Sequence, residues 1–277
     1  MSLKTVYVVD GTRTPFLKVK GAPGPFSAAD LAVQAGRELL LRQPFAPSDL
    51  DEVIIGCAAP SPDEVNIGRV IALRLGCGNQ VPAWTVMRNC ASGMQALDSA
   101  LANIQRGKAD LVLAGGTDAL SHAPLLFSDA MTLWFSRWMG AKTLTQRLGL
   151  IKQFKPAYLK PVIGLLKGLT DPVVGLSMGQ TAENLVYEFG LTREQLDSYS
   201  VRSHLRAVEA RQRGAFSAEM APLVDKSGQY YTEDDGVRAD SSLERLARLK
   251  PVFDRPGGSI TAGNSSQVTD GAAVLLL

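Results

Sequence analysis

Short apolar runs alternate with amphipathic stretches over the first 120 residues. TVYVVD at 5–10 is rich in β-branched residues and predicts a strand. Ser27 then opens an amphipathic stretch to Arg42, and Ser27 with Asp30 has the form of a capping pair. EVIIG at 52–56 predicts a second strand, and 66–75 predicts a helix that Gly76 is placed to end. PAWTVM at 82–87 predicts a strand, with its proline at the start where a missing donor is tolerated. Residues 91–106 predict a helix with Met94, Leu97, Leu101 and Ile104 on one face and Gly107 after its end. LVLAGG at 111–116 predicts a further strand. Apolar strands alternating with helices argue for a largely parallel α/β sheet covered on both faces.

From 121 to 255 that alternation stops. Two helices stand out, at 181–189 before Gly190 and at 192–214, where Thr192 and Gln195 form a capping box. Tyr230 and Tyr231 beside Glu233, Asp234 and Asp235 read as a solvated hairpin or loop. TAGNSS at 261–266 and DGAAVLLL at 270–277 then restore a small-residue turn and an apolar strand. The simplest organisation is one α/β domain, 1–120 plus 256–277, with a large, mostly helical loop domain over 121–255 inserted before the last strand. No internal repeat is present. The chain stops inside VLLL without a polar cap, which reads as a boundary cut, and Met1, Ser2 and Leu3 read as an expression remnant.

Composition adds limits. Of the 277 residues, 45% are hydrophobic and 20% charged, which is ample for a sizeable core. A net charge of +2 makes no case for nucleic acid. The three cysteines, Cys57, Cys77 and Cys90, contain no C-x-x-C pair, so neither a disulfide framework nor a metal site is expected. Free thiols point to a reducing compartment, and the cytoplasm is the expectation. No signal peptide is visible, and no run reaches the ~18 apolar residues that span a bilayer. Gly115 and Gly116 lack the spacing of a dinucleotide fingerprint and read as a tight turn.

One cysteine stands apart. TVMRNCASGMQAL puts Cys90 where an apolar strand hands over to a helix. Unpaired N–H groups and partial positive charge gather there, and such positions activate thiols. Ala91, Ser92 and Gly93 allow a ligand to approach the backbone. The alternative is one more small buried hydrophobe.

Six segments, in order, resemble the N-terminal domain of thiolases: NCASGMQAL, GGTDALSHAP, GLTDPVVGLSMGQTAENL, REQLDSYSVRSHLRA, LKPVF and TAGNSSQVTDGAA. The resemblance implies a thiolase-like βαβαβ sheet covered by helices, and acyl transfer on coenzyme A thioesters. Cys90 would be the nucleophile, with its own N–H in the oxyanion hole. Met178 would line the acyl pocket, and Ala262, Gly263 and Ser266 the pantetheine arm. Arg238, in DDGVRADS, would meet the nucleotide end of coenzyme A, although Ala239 and Asp240 depart from the usual pattern. Met87 stands where many members have Asn, and Ser177 where short-chain members have His. Coenzyme A would enter as substrate, with no permanently bound cofactor and no metal.

The family's base and second cysteine lie in a His motif and a Cys-Gly-Gly motif of its C-terminal domain. Neither motif occurs in these 277 residues. His122 and His204 read as structural, so this chain would supply the nucleophile half and would be inactive alone.

Residues 130–170 hold seven Lys or Arg and no Asp or Glu, together with Trp134, Phe135, Trp138, Phe154 and Tyr158, and Leu144, Leu148 and Ile151 at helical spacing. Such a stretch can lie on an anionic membrane, or it can be a packed domain whose basic face attracts coenzyme A phosphates or meets solvent. It resembles the thiolase subunit of fatty-acid oxidation complexes. That implies longer 3-ketoacyl substrates, a homodimer, and a possible hydratase/dehydrogenase partner subunit. The leading expectation is therefore 3-ketoacyl-CoA thiolysis or the reverse condensation. The alternatives are an acetoacetyl-CoA-type biosynthetic thiolase, a decarboxylating ketoacyl synthase, or a non-catalytic lipid-binding or complex-forming module.

Overall fold

The computed structural model describes residues 4–277, so Met1, Ser2 and Leu3 lie outside the described residues. In chain order the elements begin with β1 (Asp10–Arg13), β2 (Leu17–Lys18), α1 (Ala28–Leu41), β3 (Glu52–Gly56), α2 (Ile67–Arg74), β4 (Ala83–Val86), α3 (Ser92–Gln105) and β5 (Val112–Ala119). They continue with β6 (Leu125–Leu126), α4 (Asp129–Gly140), α5 (Leu144–Gln153), β7 (Val162–Ile163), α6 (Gly164–Gly168) and α7 (Met178–Glu188). The last are α8 (Arg193–Gln212), β8 (Leu223–Val224), β9 (Tyr230–Tyr231), α9 (Leu243–Ala247) and β10 (Thr269–Leu276).

Two compact units result: the described residues up to His122 together with Glu183–Leu277, and Ala123–Ala182. The insertion read from the sequence over 121–255 opens near the second unit but extends well beyond Ala182.

The first unit is built on a sheet of order β1-β10-β5-β3-β4, with β2 also on β10. β3 runs parallel to both β4 and β5, while β10 is antiparallel to β5, β1 and β2. The expected parallel character thus holds for β3, β4 and β5, the βαβαβ portion. Alternation along β3 sends Val53 and Ile55 into the core beneath α1 and α2, and Ile54 into the core beneath α3. Ser27 and Asp30 cap α1 reciprocally, and Thr192 and Gln195 do the same for α8.

Three expectations are corrected. Gly115 and Gly116 are not a tight turn but lie inside β5, opposite Val274 and Ala273 of β10, where close backbone approach leaves no room for a side chain on Gly115. The first strand starts at Asp10, not Thr5. The N–H of Val9 bonds the carbonyl of Leu276, and residues 5–8 then find no facing strand. The core face of α3 is Ala96, Ala100 and Ile104, while Met94 is 70% exposed and Leu101 also faces outward. Small residues were needed there because α3 sits very close to the sheet.

In the second unit, α4 and α5 carry an aromatic cluster. Trp134 stacks on Trp138 with centroids 5.3 Å apart, meets Phe154 edge-on at 5.1 Å, and donates through Nε1 to the carbonyl of Leu150 at 3.0 Å. Leu133, Met139, Leu144, Leu148 and Ile151 remain exposed.

Candidate active site

The strand-to-helix junction around Cys90 rests on three glycines. A Cβ on Gly56 would overlap the Ser92 carbonyl and stand 2.6 Å from the nitrogen of Gly93. A Cβ on Gly116 would be 3.1 Å from the Cα of Gly93. The first turn of α3 therefore lies backbone against backbone on the C-terminal end of β3 and on β5, where parallel α/β sheets place ligands.

Ahead of the helix the chain makes a sharp elbow. Asn89 takes φ +48°, the one non-glycine residue with positive φ among the described residues. Ser92, buried, latches the elbow: its hydroxyl accepts from the N–H of Arg88 at 2.8 Å and donates to the carbonyl of Asn89 at 2.6 Å. Cys90 is thereby held exposed, whereas Cys57 and Cys77 are buried. Burial, with Asp118 nearby, pushes the Cys57 thiol up to about 12, and burial also raises Cys77. Two of the three thiols are thus inert at neutral pH.

A second feature is a cavity of about 230 Å³ lined by Lys18, His204, Arg238, Arg245, Ala262 and Gly263, among others. Arg245 is ion-paired with Asp240, while neither Lys18 nor Arg238 is in an ion pair among the described residues. The lining therefore favours an anion. Cys90 is not part of this lining. Ser266 is exposed beside it, next to Ser265, which does line it. Met178, half-exposed, belongs to the Ala123–Ala182 unit.

The two histidines differ in what they touch. His122 Nε2 lies 2.9 Å from the carbonyl of Gly24. Nδ1 of His204 accepts the backbone N–H of Arg238 at 3.2 Å, at the wall of the cavity. Burial, then the charge of Arg238, hold His204 below the ordinary imidazole value of 6.5, against a smaller upward pull from Asp240. A histidine lowered by folding leaves stability intact above the unfolded value and loses it as pH falls below that value. In a proton NMR titration His204 should therefore titrate below 6.5, and Arg238→Ala should move it part of the way back. A value at or above 6.5 in the parent chain would contradict this packing.

Comparison with known proteins places the chain in a family. Residues 6–277 match the family model described as thiolase, N-terminal domain. The chain belongs to the thiolase family. It is 35% identical to the 3-ketoacyl-CoA thiolase of Yersinia enterocolitica over 98% of this chain and 62% of that protein. Identity to the 3-ketoacyl-CoA thiolase of Serratia proteamaculans is 37% over the same shares. The chain thus spans 62% of the length of these curated thiolases. Its fold matches the crystal structure of Bacillus anthracis acetyl-CoA acetyltransferase, with TM-score 0.83 and 34% identity over 97% of this chain and 64% of that one. It also matches human mitochondrial 3-ketoacyl-CoA thiolase in complex with CoA, with TM-score 0.82 and 32% identity over 98% and 63%.

The residues that the sequence did not single out are Lys18, Asn89, the buried face of Ser92, and the contact of His204 with Arg238. Asn89 before a cysteine at a strand–helix junction was the available signal for the elbow, since Asn tolerates positive φ better than other side chains.

Proposed function

We propose that this chain carries the nucleophile half of a 3-ketoacyl-CoA thiolase active site. The observation that supports it most is that Cys90, alone of three thiols, is exposed on a glycine-seated elbow at the C-terminal edge of the parallel strands. In thiolysis the Cys90 sulfur attacks the 3-keto carbon, and the bond between C2 and C3 breaks. The two-carbon piece takes up a proton and leaves as acetyl-CoA, while the remaining acyl group stays on Cys90 as a thioester. A second coenzyme A thiol then attacks that thioester, giving the shortened acyl-CoA and freeing Cys90. Condensation runs the same steps backward. Met178 lines the acyl pocket in this reading.

Arg238 holds the nucleotide phosphates, and Ala262, Gly263 and Ser266 follow the pantetheine arm. Coenzyme A is substrate, and no permanent cofactor is required. Two chains pair through the outer edge of β4, at the end of which Met87 stands exposed. The basic, apolar surface of 130–170 supports contact with an anionic membrane or with a hydratase/dehydrogenase subunit. Among the described residues no helix is long and apolar enough to cross a membrane, and the place of action in this reading is the cytoplasm.

Calorimetric titration of the chain with coenzyme A checks the arm. Arg238→Ala should weaken binding by about ten-fold, the loss of one charge-assisted phosphate contact. Equal affinities would remove Arg238 from the site.

A further inference from the structure

The loop 259–266 and the end of α9 form two facing walls of the cavity beside Arg238. Leu246 and Leu249 belong to one wall, and Ala262 and Gly263 to the other. The walls touch: a Cβ on Gly263 would be 2.6 Å from Leu249 Cδ1 and 3.0 Å from Leu246 Cγ. Leu246 belongs to the short helix α9, whereas the 259–266 loop has no regular structure; one backbone bond, from the N–H of Val252 to the carbonyl of Ile260 at 2.9 Å, joins the two segments, and side chains add the remaining ties.

Asp197, on the first turns of α8, is 3% exposed and uses both carboxylate oxygens. Oδ2 accepts from Nε of Arg193 at 2.8 Å, and Oδ1 accepts from Nδ2 of Asn264 at 2.9 Å. Asn264 in turn fixes its own loop. Its Oδ1 accepts the N–H of Thr261 at 2.7 Å, and its Nδ2 also donates to the carbonyl of Ser259 at 2.9 Å. Arg193 reaches the other wall, donating through Nη1 to the carbonyl of Leu249 at 3.3 Å and through Nη2 to that of Leu246. One buried carboxylate and its guanidinium thus tie α9 to the 261–266 loop. A bidentate donor fork on fixed carbonyls leaves little freedom in the gap between them.

We propose that Arg193, Asp197 and Asn264 are positioning residues for coenzyme A: they fix Ala262 and Gly263 against the end of α9, so that the cavity both segments line keeps the shape that receives the pantetheine arm. The proposal rests on the coenzyme A reading above. None of the three touches the reacting atoms, so their removal should act on binding and leave the chemistry of Cys90 alone.

Asn264→Ala keeps the Arg193–Asp197 ion pair and is the first variant. Asp197→Ala opens a buried site and leaves the half-buried Arg193 guanidinium without its carboxylate, which can cost the fold, so it is paired with Asp197→Asn. In Asn264→Ala, coenzyme A affinity should fall about ten-fold or more, as displacements near 1 Å do at preorganised sites. Amide exchange at Thr261 and Gly263 should quicken, and the rate of Cys90 alkylation by iodoacetamide should stay unchanged. Asn264→Asp should bind more weakly still, because it sets a second carboxylate against Asp197. The double variant Asp197→Asn with Asn264→Asp should recover part of the affinity. Unchanged exchange at 261–263 in Asn264→Ala, or no recovery in the double variant, would overturn the clamp. If the parent chain shows no heat with coenzyme A, the coenzyme A reading falls and the positioning proposal falls with it.

Discussion

Replacing Gly56 with alanine should cost about 3 kcal/mol or more of stability, the upper range for overpacking a closed core. The reason is the nature of the neighbour. The added methyl group meets the Ser92 carbonyl and the nitrogen of Gly93, which are backbone atoms at the start of α3. A side chain could rotate away, but a helix seated on a sheet has to lift. Lifting it separates Ala96 and Ala100 from Ile54 and Ala114, opening the core beneath α3. It also moves the elbow that presents Cys90. Urea denaturation should show a lower midpoint at unchanged slope, since the surface exposed on unfolding is the same. Gly107→Ala is a useful contrast: φ there is +68°, but nothing lies within 4 Å of the added carbon. Its cost should be only the strain of a left-handed alanine, about 1 kcal/mol. Equal losses at the two positions would show that close packing at Gly56 is not what the glycine provides.

The second large effect concerns turnover. When these 277 residues are joined to a thiolase segment bearing the His and Cys-Gly-Gly motifs, Cys90→Ala should lower kcat on a 3-ketoacyl-CoA by at least about 10⁴. Loss of a covalent nucleophile removes the whole two-step route, and such losses reach about 10⁶ in other acyl-transfer enzymes. The 277 residues alone should show no detectable turnover. Base and acid groups each contribute about 10² to 10⁴, and neither motif is in this sequence. A coupled assay that traps acetyl-CoA reads both. Turnover by the parent chain alone would mean that His122 or His204 serves as the base. The contact of His204 with the Arg238 backbone and of His122 with the Gly24 carbonyl argues against that.

Local signals carried much of the fold. The caps at Ser27 and Thr192, and glycines after α2, α3, α7 and α8, mark element ends because capping is a short-range interaction. β3, β4 and β5 were visible as apolar runs because both faces of that part of the sheet are covered. The first strand was misplaced because an apolar run does not say where its partner ends, and pairing with β10 decides that. The stripe predicted on α3 holds only in part: the closest packing uses Ala96 and Ala100 beside Ile104, and Met94 and Leu101 point outward. The strand–helix junction and the small residues after Cys90 left it open between nucleophile and buried hydrophobe, and resemblance to the thiolase segment supplied its role. The cavity beside Arg238 could be reached only in part. Ala262, Gly263 and Arg238 came from motif resemblance, whereas Lys18 and His204 are brought in from distant segments. The Asp197–Asn264 bond spans 67 residues, and no pattern along the chain announces it.

The central claim is that Cys90 is the thiol that meets the reactive end of a coenzyme A thioester. Bromoacetyl-CoA tests it directly, because it needs no base and joins the coenzyme A arm to an electrophile. The chain is incubated with this reagent at neutral pH, digested and mapped by mass spectrometry. Labelling should fall on Cys90, should proceed faster than with an equal concentration of bromoacetamide, and should slow when free coenzyme A is added. Cys57 and Cys77, both buried, should remain unmodified. Labelling of either of those cysteines in preference to Cys90, or a Cys90 rate indifferent to the coenzyme A arm and to competing coenzyme A, would contradict the account.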